Sequence, residues 1–497
     1  MEGKHVRGDR LVLGVALWSV ALVVLLLPAR TAFALLPGLA QTPDGAVYFA
    51  ADCVPANNQG RLVLFLPGTG GTSTGAQWYL KRVAEQTGLC TLAVNYENDA
   101  FVGSCCTTVP GNPDGPQDPG CNAAVLGSKA FANPVTFTCL DGSQHSVEPF
   151  QSILGRTSKA LADLGMSNYL TNSGGESLVD WSKIVVTGHS QGALFSLYIA
   201  RAAESVAGVG SIAGGAFATA GPQPYLSYVT GTPVTVPSRM RAFHHVDDDD
   251  AGRRSIYGVM RMPERNIRTT ANMSPNCSLA LGGTPHTCVI SDFNLAFVGE
   301  EPAFVDDWVW LVSPTPGACP TPAPATVFAR SAKLKLDRLG GTVGDDRLKL
   351  KASSEISVEN FVQARPDLHG ARFVLTGADG TLLVDATLPA GDYAGRGTAG
   401  WLRNRSGKKW TFLDKTATPV AGIIKVTAKL AGGVNPNLRV LVRGRNADYP
   451  VAAVDTPLSI SLHLGDAVAG EGLCGEQDFK PTECTPNAAA TRIQCRL

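Results

Sequence analysis

The chain lacks a surplus of either charge: 42 Lys and Arg are matched by 42 Asp and Glu over 497 residues. That balance removes the basic excess expected of a nucleic-acid binder. It also lacks any Cys-x-x-Cys pair, so its 12 cysteines offer none of the spacings typical of zinc sites. Charged residues reach only 17% and aromatics only 7%, yet 44% of the chain is apolar. A sizeable core can therefore be buried, which excludes a disordered or fibrous protein. At roughly 150 residues per domain the length suits about three domains. No internal repeat is evident, although Lys333-Leu-Lys-Leu336 and Leu348-Lys-Leu-Lys351 echo each other.

Long apolar runs are missing too, with one exception. Lys4, Arg7 and Arg10 precede the 17 residues Leu11 to Leu27, and Ala32-Phe33-Ala34 supplies a small-x-small cleavage signal. Residues 1–34 are thus expected to be a secretory signal peptide. The run is short for a membrane span, and an uncleaved anchor is the alternative. All 12 cysteines follow this segment. An even number in an exported chain reads as disulfides. They are expected within 53–319, with at least one among 474–495, and their connectivity is open. Charge is divided along the chain: residues 35–320 balance at −8 and residues 321–497 at +6. Two domains of opposite sign follow.

In the first of these, expected over 45–312, Arg61-Leu-Val-Leu-Phe-Leu66 stops at Pro67-Gly68-Thr69-Gly70-Gly71, as a buried strand entering a tight loop does. A helical stretch from Gln77, a strand Cys90–Val94, a helix near Glu148–Leu164 and a strand Lys183–Thr187 continue an α/β alternation. Residues 97–145 interrupt it with four cysteines and read as a disulfide-tied insertion. Ser313 to Pro324 holds five prolines, marking a stiff linker over 313–328. Beyond it, residues 329–497 show only short alternating segments and a Gly377-Ala-Asp-Gly380 hairpin signal. That predicts an all-β, sandwich-like domain.

Chemistry concentrates at Gly188-His189-Ser190-Gln191-Gly192, between a predicted strand and a predicted helix. A G-x-S-x-G pentapeptide there is a nucleophile elbow, whose glycines permit the sharp turn that presents the serine. Lys183 to Ala200 resembles the elbow of α/β-hydrolase-fold lipases and esterases, and Leu66-Pro-Gly-Thr-Gly-Gly71 resembles their oxyanion loop. The likeness spans about residues 60–312. The layout is similar to secreted bacterial serine hydrolases with a β-rich tail. The resemblance implies Ser190 as nucleophile, with Gln191 and Thr69 N–H groups as oxyanion donors.

In that fold the base comes last in the chain, after the acid. His286, His369 and His463 lie late enough, and the last two fall in the β-rich part, which selects His286. His189 is expected to point away and act structurally. The acid should end the strand Met240–Val246, at Asp247-Asp248-Asp249-Asp250. The family's strand-end pattern favours Asp248, with Asp247 and Asp249 left open. A calcium site on this run is a minor alternative. Of His244 and His245, one should be core and one rim. Segments 97–145 and 251–285 are expected to frame an acyl pocket.

The expectation is a secreted, cofactor-free and metal-free serine hydrolase acting on carboxylic esters through an acyl-enzyme. Peptides, polyesters or acyl transfer are alternatives on the same triad. A non-catalytic adhesion or carbohydrate-binding protein is another, because Trp401, Trp410 and Tyr393 offer an aromatic platform unless they are core. Its substrate partner would be a small, lipid or polymeric ester, with a candidate cell-surface or polysaccharide contact through the tail.

Overall fold

Continuous apolar runs become the buried strands of a mixed sheet. The computed structural model of the chain describes residues 34–497 except 55–59, 100–101, 110–116, 174–175, 215–225, 232, 264–265, 271–283, 293, 314–324, 328–330, 356–360, 363, 433–435 and 466–472. Residues 1–33 of the expected signal peptide, residues 314–324 and 328 of the expected linker, Cys277 and Cys319 lie outside the described residues, and 325–327 of the expected linker are a strand instead. Among the described residues no helix is long and apolar enough to cross a membrane. Residues 36–497 form one compact unit with two hydrophobic cores.

Around the first core, eight strands form one sheet: β1 (Leu39–Gln41), β2 (Val47–Phe49), β3 (Leu62–Leu66), β4 (Cys90–Ala93), β5 (Ile184–His189), β6 (Gly208–Ile212), β7 (Met240–His244) and β8 (Ile267–Thr269). Their order is β1-β2-β4-β3-β5-β6-β7-β8. β2 is antiparallel to β1 and β4, and every other pairing is parallel. The sheet starts at Leu39, ahead of the expected domain start at residue 45. The first two strands are short and mixed in polarity, so no periodic signal marked them.

Among the described residues, the helices of eight residues or more that accompany the sheet are α1 (Gln77–Thr87), α2 (Pro119–Phe131), α3 (Ile153–Asp163), α4 (Gln191–Tyr198), α5 (Asp250–Val259) and α6 (Val305–Val312). Successive strand residues face opposite ways, and the two faces are both covered. Phe65 and Thr187 meet α1, where the Tyr79 ring lies 5.2 Å from Phe65 and its hydroxyl donates to Thr187 Oγ1 at 3.1 Å. Trp308 of α6 closes that layer, 5.7 Å from Tyr79. Leu64, Leu66 and Val186 instead share a core with Leu194 and Phe195 of α4. Parallel strands buried on both faces need such unbroken apolar runs.

After β3 the chain steps outward to β4, then returns past β3 to β5 and steps the other way through β6, β7 and β8. The direction of winding therefore reverses between β3 and β5. In open α/β sheets, ligands bind outside the carboxyl ends of the strands at such a reversal. Pro67–Gly71 leaves one of those ends and Ser190 leaves the other.

The second core lies between two further sheets. Their strands are β9 (Ala325–Val327), β10 (Ser331–Asp337), β11 (Asp346–Glu355), β12 (Ala371–Thr376), β13 (Leu382–Leu388), β14 (Ala399–Arg403), β15 (Lys409–Asp414), β16 (Ile423–Ala431), β17 (Asn437–Ala447), β18 (Ser459–Leu464), β19 (Leu473–Asp478), β20 (Cys484–Pro486) and β21 (Arg492–Arg496). One sheet runs β9-β19-β18-β12-β13 and the other β14-β15-β16-β17-β11-β10-β21-β20. The hairpin expected around Gly377–Gly380 joins β12 to β13. Trp401 and Trp410 are 1% and 0% exposed, so they are core and form no sugar platform. The halves touch where the Ser238 hydroxyl donates to the Glu476 carboxylate of β19.

Four disulfides are Cys53–Cys90, Cys105–Cys139, Cys106–Cys121 and Cys484–Cys495, and Cys288 and Cys474 are disulfide-bonded as well. Two of the four tie the insertion, as its composition suggested. Cys105, Cys106 and Cys121 are the sole converging metal-ligand cluster among the described residues, and all three are already oxidised.

Candidate active site

The turn from β5 to α4 needs its glycines. A Cβ on Gly188 would collide with the Gly192 backbone, and one on Gly192 would collide with the Leu66 carbonyl. Gly214, at the end of β6, leaves room for Ala193 in the same way. Between them Ser190 holds φ +54° and ψ −118°, a region side chains rarely adopt. Strain of this kind costs of order 1–3 kcal/mol and persists where the surroundings enforce it. Here the Ser190 N–H is fixed to the Ile212 carbonyl at 3.0 Å. Half-buried Ser190 thus sits at the N-terminus of α4, where positive partial charge gathers.

His286 arrives on a loop anchored at several points. Asp292 accepts from the Gln77 and Trp78 N–H groups, at 2.6 and 3.2 Å, and Trp308 Nε1 donates to the Val289 carbonyl at 3.0 Å. His189 adds a third anchor. Its Nε2 donates to the His286 carbonyl at 2.8 Å and its ring lies 4.9 Å from the His286 ring. The expectation that His189 points away is therefore corrected: its structural role is exerted on His286 itself. Burial, and then the charge of His286, push the His189 pKa down to about 3. It stays neutral, with the proton on Nε2.

The four aspartates go four ways. Asp248 Oδ2 lies 2.9 Å from His286 Nδ1 and 2.8 Å from an Arg253 nitrogen. Asp247 is exposed. Asp249 takes φ +51° and caps α5 by accepting from the Gly252 N–H. Asp250 meets His244 Nε2 and Arg254 Nε, each at 2.8 Å. Carboxylates so divided do not converge on a cation. His244 is fully buried and His245 lies at the rim, as their alternation suggested.

Burial raises the Asp248 pKa, but the His286 hydrogen bond and the Arg253 charge outweigh it and hold it below the ordinary carboxylate range. Arg253, only 3% exposed, also donates to the Asp248 and Gly214 carbonyls. It clamps the acid to the ends of β6 and β7. Nothing in the sequence reading singled it out. The signal was a helix start at Asp249, which brings residue 253 back over the strand end.

The loop Pro67–Gly71 is held by Asn98, a residue that nothing in the sequence marked. Its side chain donates to the Gly68 and Gly71 carbonyls at 2.6 and 2.9 Å, and its carbonyl accepts from Gly70 N–H at 3.3 Å. Gly70 is thereby engaged. The Thr69 and Gln191 N–H groups have no acceptor among the described residues. The Gln191 side chain accepts from Thr69 Oγ1 at 3.3 Å and from Val102 N–H at 3.2 Å. The two predicted donors are thus cross-linked, with the start of the insertion packed against them. A Cβ on Gly68 would lie 3.1 Å from Ser190 Cβ, so the loop passes directly beside the serine.

His369 and His463 lie in the second half, on other elements. Of the segment 251–285, residues 271–283 fall outside the described ones. Comparison with known proteins finds no matching family model, no matching curated protein and no matching solved structure.

Proposed function

We propose that residues 39–312 are an α/β-hydrolase-fold catalytic domain that hydrolyses carboxylic esters, followed by a β-sandwich. The reading rests chiefly on one observation: the 2.9 Å pair between His286 Nδ1 and Asp248, on a loop locked to the residue that precedes Ser190. An imidazole oriented by a carboxylate, on a loop held to the neighbour of a serine in a strained strand-to-helix turn, supports the arrangement of an acyl-transfer enzyme. The sheet order, with its winding reversal beside Ser190, supports the same reading.

Asp248 holds the His286 proton on Nδ1, leaving Nε2 to take the Ser190 proton as Oγ bonds to the acyl carbon. The carbonyl oxygen gains charge, and the Thr69 and Gln191 N–H groups stabilise it. A lost donor of this kind costs about 3 kcal/mol of barrier. His286 then gives its proton to the departing alkoxide, and the alcohol leaves. Water attacks the acyl-enzyme, losing a proton to His286, which returns it to Ser190 Oγ as the acid leaves. The side chains need no metal or cofactor for these steps. Export, through residues 1–34, accords with the disulfides.

The test is turnover of p-nitrophenyl esters of two to sixteen carbons by the chain from residue 35, beside Ser190→Ala. Ser190-dependent turnover is expected, and the preferred length separates an esterase from a lipase. Turnover surviving in Ser190→Ala would overturn the reading. A folded protein inert on every ester would move it to peptides, polymers or adhesion.

A further inference from the structure

The outer face of the eight-stranded sheet of the second half, β14-β15-β16-β17-β11-β10-β21-β20, is nearly free of carboxylates among its described side chains. Its inward residues, such as Leu334, Leu350 and Val442, fill the second core. Many of the alternate ones are basic, interleaved with neutral residues such as Ser331, Ser353, Thr427 and Leu441. Lys335, Lys349, Arg443 and Lys425 stand side by side across β10, β11, β17 and β16. A second row holds Arg496, Lys333 and Lys351. A third holds Arg439, Lys429 and Lys409. The fourth runs Arg492, Asp337, Arg347 and Arg445.

Among the described side chains of this face, Asp337 is the single acid. It pairs with Lys335 at 2.8 Å and Arg492 at 2.6 Å. Among the described residues, none of the other basic side chains in these rows has an acidic partner within 4.0 Å. All are exposed or half-buried. Like charges directly opposite across strands are destabilising, and a face whose task is only to stay wet mixes its signs. A 310 Å³ hollow lined by Lys335, Asp337, Arg338, Arg347, Thr491 and Arg492 lies at one corner of this face.

We infer that this face binds a linear anionic polysaccharide. Charge complementarity selects a polyanion, and the shape of the sheet selects among polyanions. Neighbouring strands rotate by about 20–25°, so the cations spread over five strand steps from β21 to β15 turn through roughly 100°. A flat anionic bilayer meets only part of such a surface, whereas a flexible chain follows it. Neighbours within a row stand about 5 Å apart across the strands, close enough for consecutive sugar units to meet successive cations. The outward residues of these rows include no aromatic on which bases would stack, which single-stranded nucleic acid requires. This inference does not depend on the ester-hydrolase reading.

The test measures binding of the chain from residue 35 to polygalacturonate and heparin, with dextran, phosphatidylserine vesicles and duplex DNA alongside. Both anionic polysaccharides should bind at 50 mM salt, dextran should not, and affinity should fall about tenfold or more by 200 mM. Lys349→Glu/Arg443→Glu/Lys425→Glu should weaken binding at least tenfold while leaving soluble-ester turnover and Tm in place. Arg156→Glu/Lys159→Glu/Lys183→Glu, the same charge change on the first half, should bind at close to wild-type strength. Unchanged binding by the face variant, equal loss in the control variant, or tighter face-dependent binding of vesicles or DNA would overturn the inference.

Discussion

Replacing Asp248 by Asn probes the site at its most constrained point. Asp248 Oδ2 serves two donors at once, His286 Nδ1 at 2.9 Å and Arg253 at 2.8 Å. An asparagine has one oxygen and one NH₂. Because one atom serves both donors, an oxygen in that place keeps both contacts without the charge that stabilises the imidazolium, and an NH₂ there faces Nδ1 and holds the imidazole proton on Nε2, the atom that must accept the Ser190 proton. The expected loss in kcat is about 10³–10⁴-fold. Stability also drops, because Arg253 is 3% exposed and loses its counter-charge. Breaking a buried pair costs about 3–5 kcal/mol. Arg253 keeps two carbonyl acceptors, which places the loss near 3 kcal/mol, or roughly 6–12 °C in Tm. The assay pairs ester turnover with thermal unfolding, using Asp247→Asn and Asp249→Asn as controls. Exposed Asp247 should be silent, and the asparagine of Asp249→Asn still caps α5. More than a tenth of wild-type kcat in Asp248→Asn, or an equal loss in either control, would refute the assignment.

Other predictions follow from the same geometry. Asp248 titrates below its unfolded value of about 3.9, so its stabilisation is present above that pH and is lost as pH falls through the folded value. The Tm gap between wild type and Asp248→Asn should therefore close below about pH 4, and a constant gap would contradict the pairing. His189, pushed down to about 3, works in a different window. The unfolded chain takes up its proton first, so stability declines as pH falls from about 6.5 toward 3. His189→Gln, which keeps a donor for the His286 carbonyl, should flatten that slope in urea titrations and retain activity within about tenfold. Thr69→Pro removes an N–H proposed as an oxyanion donor and should lower kcat about 10²–10³-fold with little change in KM; a rise in KM alone would argue for a binding role.

Much of this was legible because parallel strands buried on both faces announce themselves as apolar runs, as in Leu62–Leu66 and Ile184–Val186. The elbow was legible because its glycines answer steric demands that no other residue meets. What the sequence hid is contact made across distance. Asn98 reads as one polar residue in a loop, and its two carbonyl acceptors lie about thirty positions away. Arg253 and His189 matter for what they hold, Asp248 and the His286 backbone, and those partners meet them only after β5, β6 and β7 are aligned. Four consecutive aspartates likewise look equivalent until the αL turn at Asp249 sends each in its own direction. The cationic face was visible only as a balance of +6, since its rows depend on strand register.

The central claim is that Ser190 is an activated nucleophile, and covalent capture tests it most directly. The chain from residue 35 would be treated with a fluorophosphonate, and the adduct located by intact mass and peptide mapping. The account predicts one phosphonyl group, on Ser190, with labelling abolished in Ser190→Ala and slowed at least a hundredfold in His286→Ala. Labelling elsewhere, or of Ser190 at an unchanged rate without His286, would contradict it.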